Sequence, residues 1–254
     1  MSAQRTVALV TGSARGIGRA IALRLARDGA AVIVADLPDH PDVDTTMEEL
    51  ESTGSPAIYL PTDVSRVDEV RRLVAIGVQR FGRIDVLVNN AGVQRRDPFL
   101  NVAEADYDLV LGVNLKGPFF LAQAFAQHVE ERGGGGRIVN ISSVHEELPF
   151  PEFASYCVSK GGLQMLTRDL AIELAPLGIT VNNVAPGAIR TEMNEALIED
   201  EARLRALRSE IPAGHLGSPA HVADAVAYAI SPGAEYVTGT TITVDGGLLW
   251  NYRE

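Results

Sequence analysis

The chain has 254 residues, 46% of them hydrophobic, which suffices for one sizeable core and falls short of two well-developed domains. Its formal net charge of -11 repels nucleic acid and anionic lipid surfaces, so neither is an expected partner. The single cysteine, Cys157, can form no internal disulfide, and no apolar run approaches the roughly 20 residues that a membrane span needs. The start, MSAQRTVALV, lacks the basic, apolar and cleavage regions of a secretion signal; a cytoplasmic protein is expected.

Taken in chain order, short β-rich apolar runs alternate with segments of helical period. Strands are predicted at 6–11, 31–36, 57–62, 85–89, 137–142, 179–185 and 241–246. Most are apolar on both faces, as in a parallel sheet covered by helices on both sides. Helices are predicted over 17–28, 44–53, 67–81, 104–131, 155–175, 193–210 and 219–230. This rhythm predicts an α/β fold: one doubly wound, Rossmann-type domain over 1–254 with a seven-stranded parallel sheet. The run Gly133–Gly136 reads as a helix stop and turn, because no helix start follows it to receive an anion. The charged segment 187–216 breaks the rhythm and is read as a flap over a site.

The first strand runs into Thr11-Gly12-Ser13-Ala14-Arg15-Gly16-Ile17-Gly18, and a helix follows. Glycines at such a junction let the backbone approach a pyrophosphate, which then faces the open N–H groups of the helix start. Spaced G-x-x-x-G-x-G, they depart from the commoner G-x-G-x-x-G. Asp36 ends the second strand, where a carboxylate accepts hydrogen bonds from ribose hydroxyls and repels a 2′-phosphate, so NAD is the expected cofactor. Arg15 could meet a 2′-phosphate, which leaves room for NADP.

Tyr156 and Lys160 stand at i and i+4 of a predicted helix and share a face. An ammonium beside a phenol favours the phenolate, which is expected to lower the tyrosine pKa and make Tyr156 the proton-transfer group. The histidines are scattered with no ligand spacing, so no metal is expected. Cys157 is read as ordinary packing rather than redox chemistry.

Together, TGSARGIG, Asn89-Asn90-Ala91-Gly92, Tyr156-x-x-x-Lys160 and Pro186-Gly187 resemble the motifs of the short-chain dehydrogenase/reductase family, across nearly the whole chain. The resemblance implies a catalytic tetrad of Asn114, Ser143, Tyr156 and Lys160, with Asn114 positioning water near Lys160 and Ser143 binding the reacting oxygen. It implies cofactor contacts from Gly12, Arg15, Gly16, Ile17, Gly18, Asp36, its neighbour Leu37, Tyr156 and Lys160. Asp63 and Val64 would flank adenine; Asn90, Ala91 and Gly92 would line the ribose and nicotinamide. Pro186, Gly187, Ile189 and Thr191 would follow on the carboxamide side. It also implies a homotetramer built on helices 104–131 and 155–175 and the last strand region.

Within the family, Ser142-Ser143-Val144-His145-Glu146 followed by Pro149-Phe150-Pro151 is most similar to glucose 1-dehydrogenases. That implies a small-molecule sugar substrate, with Gln94, Ser143, His145 and Tyr156 as substrate contacts and a lactone as product. His145 reads either as a hydroxyl ligand or as a loop histidine capping backbone groups. Gln94 stands where a glutamate is expected in those enzymes. Two other readings stay open: a 3-oxoacyl-thioester reductase docking an acidic carrier through Arg95-Arg96, and a nonenzymatic dinucleotide-binding protein.

Overall fold

The computed structural model describes residues 5–192 and 200–251. Seven parallel strands form one sheet: β1 (Val7–Thr11), β2 (Ala31–Asp36), β3 (Ala57–Pro61), β4 (Val86–Asn89), β5 (Gly136–Ile141), β6 (Ile179–Pro186) and β7 (Thr241–Val244). Their spatial order is β3-β2-β1-β4-β5-β6-β7, so the winding reverses between β1 and β4. The carboxyl ends of these two strands open the crevice where ligands bind in such folds.

The helices are α1 (Gly16–Arg27), α2 (Val43–Ser52), α3 (Val67–Phe81), α4 (Glu104–Leu111), α5 (Gly117–Glu131), α6 (Ala154–Glu173), α7 (Glu201–Glu210) and α8 (Pro219–Ile230). Side chains alternate between the two faces of each strand, and both faces are apolar. Ala8, Val10, Val32, Val34 and Val88 pack under Ile21 and Leu25 of α1 and Val222 and Val226 of α8. Val7, Leu9, Ile33, Leu87 and Ile138 pack under Leu73 of α3 and Leu121 and Phe125 of α5.

The predicted strands agree with those observed to within a residue or two. The predicted helix 104–131 is interrupted: Gly112–Lys116 forms a π-turn between α4 and α5. Glu104–Glu131 is long and apolar enough by length and composition to cross a membrane, but Leu121, Phe125 and Val129 are buried against the sheet. Gly133, Gly134 and Gly135 all have positive φ, so the glycine run is the helix stop and turn expected of it. The helix predicted over 193–210 is seen as α7; positions 193–199 lie outside the described residues.

Ala188–Arg190 pairs with Gly217, which closes the base of the 187–216 excursion. Leu204, Ile211 and Leu216 form a small apolar cluster of their own within it.

Candidate active site

The glycine loop is shaped by close contacts. Gly12 and Gly16 have φ of 62° and 56°, a region that side chains disfavour. A Cβ on Gly18 would lie 2.1 Å from the Gly12 carbonyl oxygen, so the loop and α1 can pack this closely only with glycine there. No side chain caps the start of α1 and its first turn carries no acid, so the open N–H groups suit an anion such as a pyrophosphate. These residues therefore fit the dinucleotide expected from the motif.

Asp36 sits at the end of β2 beside this loop. Its carboxylate accepts from the Ala14 N–H and the Leu37 N–H, both at 2.8 Å. Arg15 is exposed beside it, and Leu37 is 52% exposed at the mouth. Asp63 spends one carboxylate oxygen on the Ser65 N–H and hydroxyl, and Val64 is buried in the core under α5. The Val64 side chain is thus enclosed, whereas Asp63 keeps one carboxylate oxygen outside these hydrogen bonds.

Asn90 braces the loop: its amide donates to the Thr11 and Gly12 carbonyls at 2.9 and 2.8 Å. The Thr11 hydroxyl accepts from the Asn90 and Ala91 N–H groups. At the other end of this stretch, a Cβ on Gly92 would lie 3.5 Å from Asn114 Oδ1 and 3.9 Å from Lys160 Nζ. Asn90-Ala91-Gly92 thus runs from the glycine loop to the side of Lys160. Gly187 is pressed against Asp245, and Ile189 is buried. Thr191 and Glu192 fold back over Gly16, where Glu192 Oε2 would be 3.3 Å from a Cβ.

The four tetrad residues converge. Asn114 lies in the π-turn, and its amide makes a paired 2.8 Å contact with the Val93 backbone and donates to Ser159 Oγ. The Ser159 hydroxyl donates to the Tyr156 carbonyl, tying the π-turn to α6. Ser143 is buried, accepts from the His145 N–H, and shares a hydrogen bond with Tyr156. Lys160 Nζ donates to the Ile141 carbonyl at 2.8 Å and lies 5.6 Å from the Tyr156 ring centre.

The expected lowering of the tyrosine pKa is corrected here. The packing around the half-buried Tyr156 pushes its phenol up, and the Ser143 hydrogen bond only partly opposes this. Burial also lowers Lys160 to about 8, opposed by the charge of Glu146. In the free protein Tyr156 is therefore a phenol, ready to donate a proton, and becomes a base only at alkaline pH.

His145 answers both of its readings. Its Nδ1 lies 3.0 Å from the Leu148 carbonyl, so it does cap the backbone. Its ring stacks on Phe150 at 4.2 Å, and Phe150 stacks on Phe153. The ring also stands edge-on to Tyr156 at 6.2 Å between centres. Burial lowers its pKa, so it is neutral at pH 7, and with Nδ1 donating, Nε2 is an acceptor. Gln94 is half-buried on the loop after β4. The Cys157 thiol points to the Phe150 carbonyl, and burial pushes its pKa up, which favours the thiol over the thiolate.

Sequence reasoning missed a row of side chains beneath this site. Asn89, Asn140, Asn183 and Thr241 are register partners on four neighbouring strands. Asn89 donates to Asn140, Asn140 to Thr167, Thr167 to Asn183, and Asn183 and Thr241 to Glu146. Asparagine near the ends of three apolar strands was the available signal.

A family model described as enoyl-(acyl carrier protein) reductase matches residues 12–249. Glucose 1-dehydrogenase 2 of Bacillus subtilis is 38% identical over 242 residues, covering 95% of this chain and 93% of its own. The 3beta-hydroxysteroid dehydrogenase 1 of Eggerthella lenta is 39% identical over 240 residues, covering 94% and 92%. The crystal structure of a gluconate 5-dehydrogenase from Burkholderia cenocepacia, in complex with NADP and tartrate, superposes with a TM-score of 0.92 at 38% identity, covering 97% and 96%.

Proposed function

The chain belongs to the short-chain dehydrogenase/reductase family, an NAD(P)-dependent oxidoreductase acting on CH–OH groups, and from that premise we propose that it oxidises a sugar. The substrate is a cyclic aldose, oxidised at its anomeric carbon to a lactone, with NAD preferred and NADP tolerated. The observation that carries this reading is His145: a neutral imidazole with an acceptor nitrogen beside Tyr156 suits a substrate with several hydroxyls. Gln94, half-buried on the loop after β4, is the further substrate contact of this reading, its amide offering a donor and an acceptor. Relatives named for glucose and gluconate support the class, while the hydroxysteroid relative marks how far substrates diverge at this identity.

Bound nicotinamide supplies the hydride acceptor. Ser143 holds the reacting oxygen and Tyr156 takes its proton, so the carbon–oxygen double bond forms as hydride leaves the carbon. Lys160 holds positive charge behind the phenol, and Asn114 and Ser159 fix the helix that carries both. Because burial raises the phenol, oxidation is expected to quicken with rising pH and reduction to slow.

The 3-oxoacyl-thioester reading rested on Arg95 and Arg96 as a dock for an acidic carrier. Arg95 is ion-paired with Asp106, and Arg96 donates to Glu152 at 2.8 Å. Both arginines are thus partly neutralised, which favours the sugar.

The working form is proposed to be a cytoplasmic homotetramer of one catalytic domain each, with 187–216 closing over the cofactor. Supporting the assembly, Tyr107, Leu109 and Phe119 are exposed along a groove of about 970 Å³ on α4 and α5. Val158, Met165 and Ile172 form an exposed apolar stripe on α6.

The test is NADH formation across a panel of aldoses, polyols and aldonic acids at mildly alkaline pH. Turnover of an aldose with lactone formation is expected. No aldose turnover alongside efficient reduction of a 3-oxoacyl thioester would overturn the reading.

A further inference from the structure

Glu146 closes the stretch Ser142–Glu146 just after Ser143 and has been given no role in cofactor binding, substrate binding or proton transfer. Its carboxylate nevertheless gathers three elements. Oε1 accepts from Gln164 of α6 at 2.8 Å and from the Thr241 hydroxyl of β7 at 2.7 Å. Oε2 accepts from Asn183 of β6 at 3.1 Å. Through Asn183 it terminates the polar row that reaches across β5 to β4. Its backbone carbonyl would lie 3.8 Å from a Cβ on Gly161, so the turn rests directly on α6 beside Lys160. Lys160, Gln164 and Thr167 recur at i, i+4 and i+7 and occupy one face of α6. Glu146 or its network touches the last two of these, and the first is the catalytic lysine.

We propose that Glu146 is a positioning residue of the active site: its carboxylate clamps the Ser143–His145 turn onto α6, β6 and β7 and supplies the negative charge that bears on the Lys160 ammonium. Two neutral groups also face Nζ, the Ile141 carbonyl of β5 and the Tyr156 ring on α6. A buried ammonium is destabilised by desolvation, and a fixed carboxylate nearby offsets part of that cost. The carboxylate has no spare freedom, because its donors come from three separate elements. The same anchor that orients Ser143 and His145 thereby also holds the charge in place.

The chain has only two lysines, the exposed Lys116 and the buried Lys160, which makes the proposal directly readable. In protein labelled with 13Cε-lysine, the two lysines are expected to give separate resonances, and burial is expected to lower the Lys160 titration to about 8. Glu146→Gln keeps the size and removes the charge; the proton affinity of Lys160 is expected to fall at least about threefold. Glu146→Asp keeps the charge and shortens the reach; Lys160 is expected to titrate near its wild-type position. Both variants lose a donor contact, so kcat should fall roughly tenfold in each, with KM for NAD unchanged.

The turnover readout rests on the oxidoreductase reading, whereas the lysine titration needs neither substrate nor cofactor. Failure of the sugar assignment therefore leaves the titration to decide. An unshifted Lys160 in folded Glu146→Gln would overturn the proposal. So would kcat losses in both variants that merely track the folded fraction.

Discussion

The two ends of the crevice are built on different principles. On the β1–β3 side, the surface proposed to hold the cofactor is backbone: Gly12, Gly16, Gly18 and the open N–H groups of α1, held by one carboxylate at Asp36. On the β4–β7 side it is side chains: Asn114, Ser143, Tyr156, Lys160 and His145, each fixed by at least one further polar group. A pyrophosphate is the same in every dinucleotide and can be held by main chain. A reacting hydroxyl needs a proton moved at one atom, which demands side chains whose protonation is tuned by burial. Change is thus expected to be intolerable by shape at the first end and by chemistry at the second.

The sharpest test of this contrast is Tyr156→Phe. Removing one oxygen should lower kcat by about a thousandfold, while NADH binding followed by fluorescence stays within about twofold of wild type. Substantial turnover in the purified variant would show that another group carries the proton and that the second end does not depend on this side chain.

Gly18→Ala should break the first end. The added Cβ would collide with the Gly12 carbonyl and with Asn90 Nδ2, 2.4 Å away, so the loop must shift. Dinucleotide affinity is expected to fall by roughly tenfold or more. Calorimetric titration with NADH measures it, and unchanged affinity would mean that the close packing of α1 is not what shapes the cofactor surface.

The smallest expected effect comes from Asp36→Ala. Loss of the carboxylate should move the ratio of kcat/KM for NAD over NADP toward NADP by a few-fold to about tenfold, with Arg15 left to meet a 2′-phosphate. The gain is limited because the same carboxylate also accepts the Ala14 and Leu37 N–H groups. A wild-type preference for NADP in steady-state kinetics would show that Arg15 outweighs Asp36.

The sequence alone determined the parts of this protein that depend on local pattern. Apolar runs on both strand faces dictated a covered parallel sheet, and the glycine spacing at the β1–α1 junction dictated a tight turn, because glycine best accepts the positive φ at Gly12 and Gly16 and alone leaves room for the 2.1 Å approach at Gly18. Tyr156 and Lys160 at i and i+4 had to share a face. The tertiary structure decided what depends on neighbours distant in sequence. Which way the Tyr156 pKa moves turned on burial, which the spacing does not show. The helix 104–131 was legible as a helix, but the π-turn that delivers Asn114 to Val93 and Ser159 was not, since bonding 21 and 45 residues apart in sequence holds it. The row from Asn89 to Glu146 exists only once strand register brings four strands side by side, since hydrogen-bond partners that far apart along the chain leave no periodic trace in it.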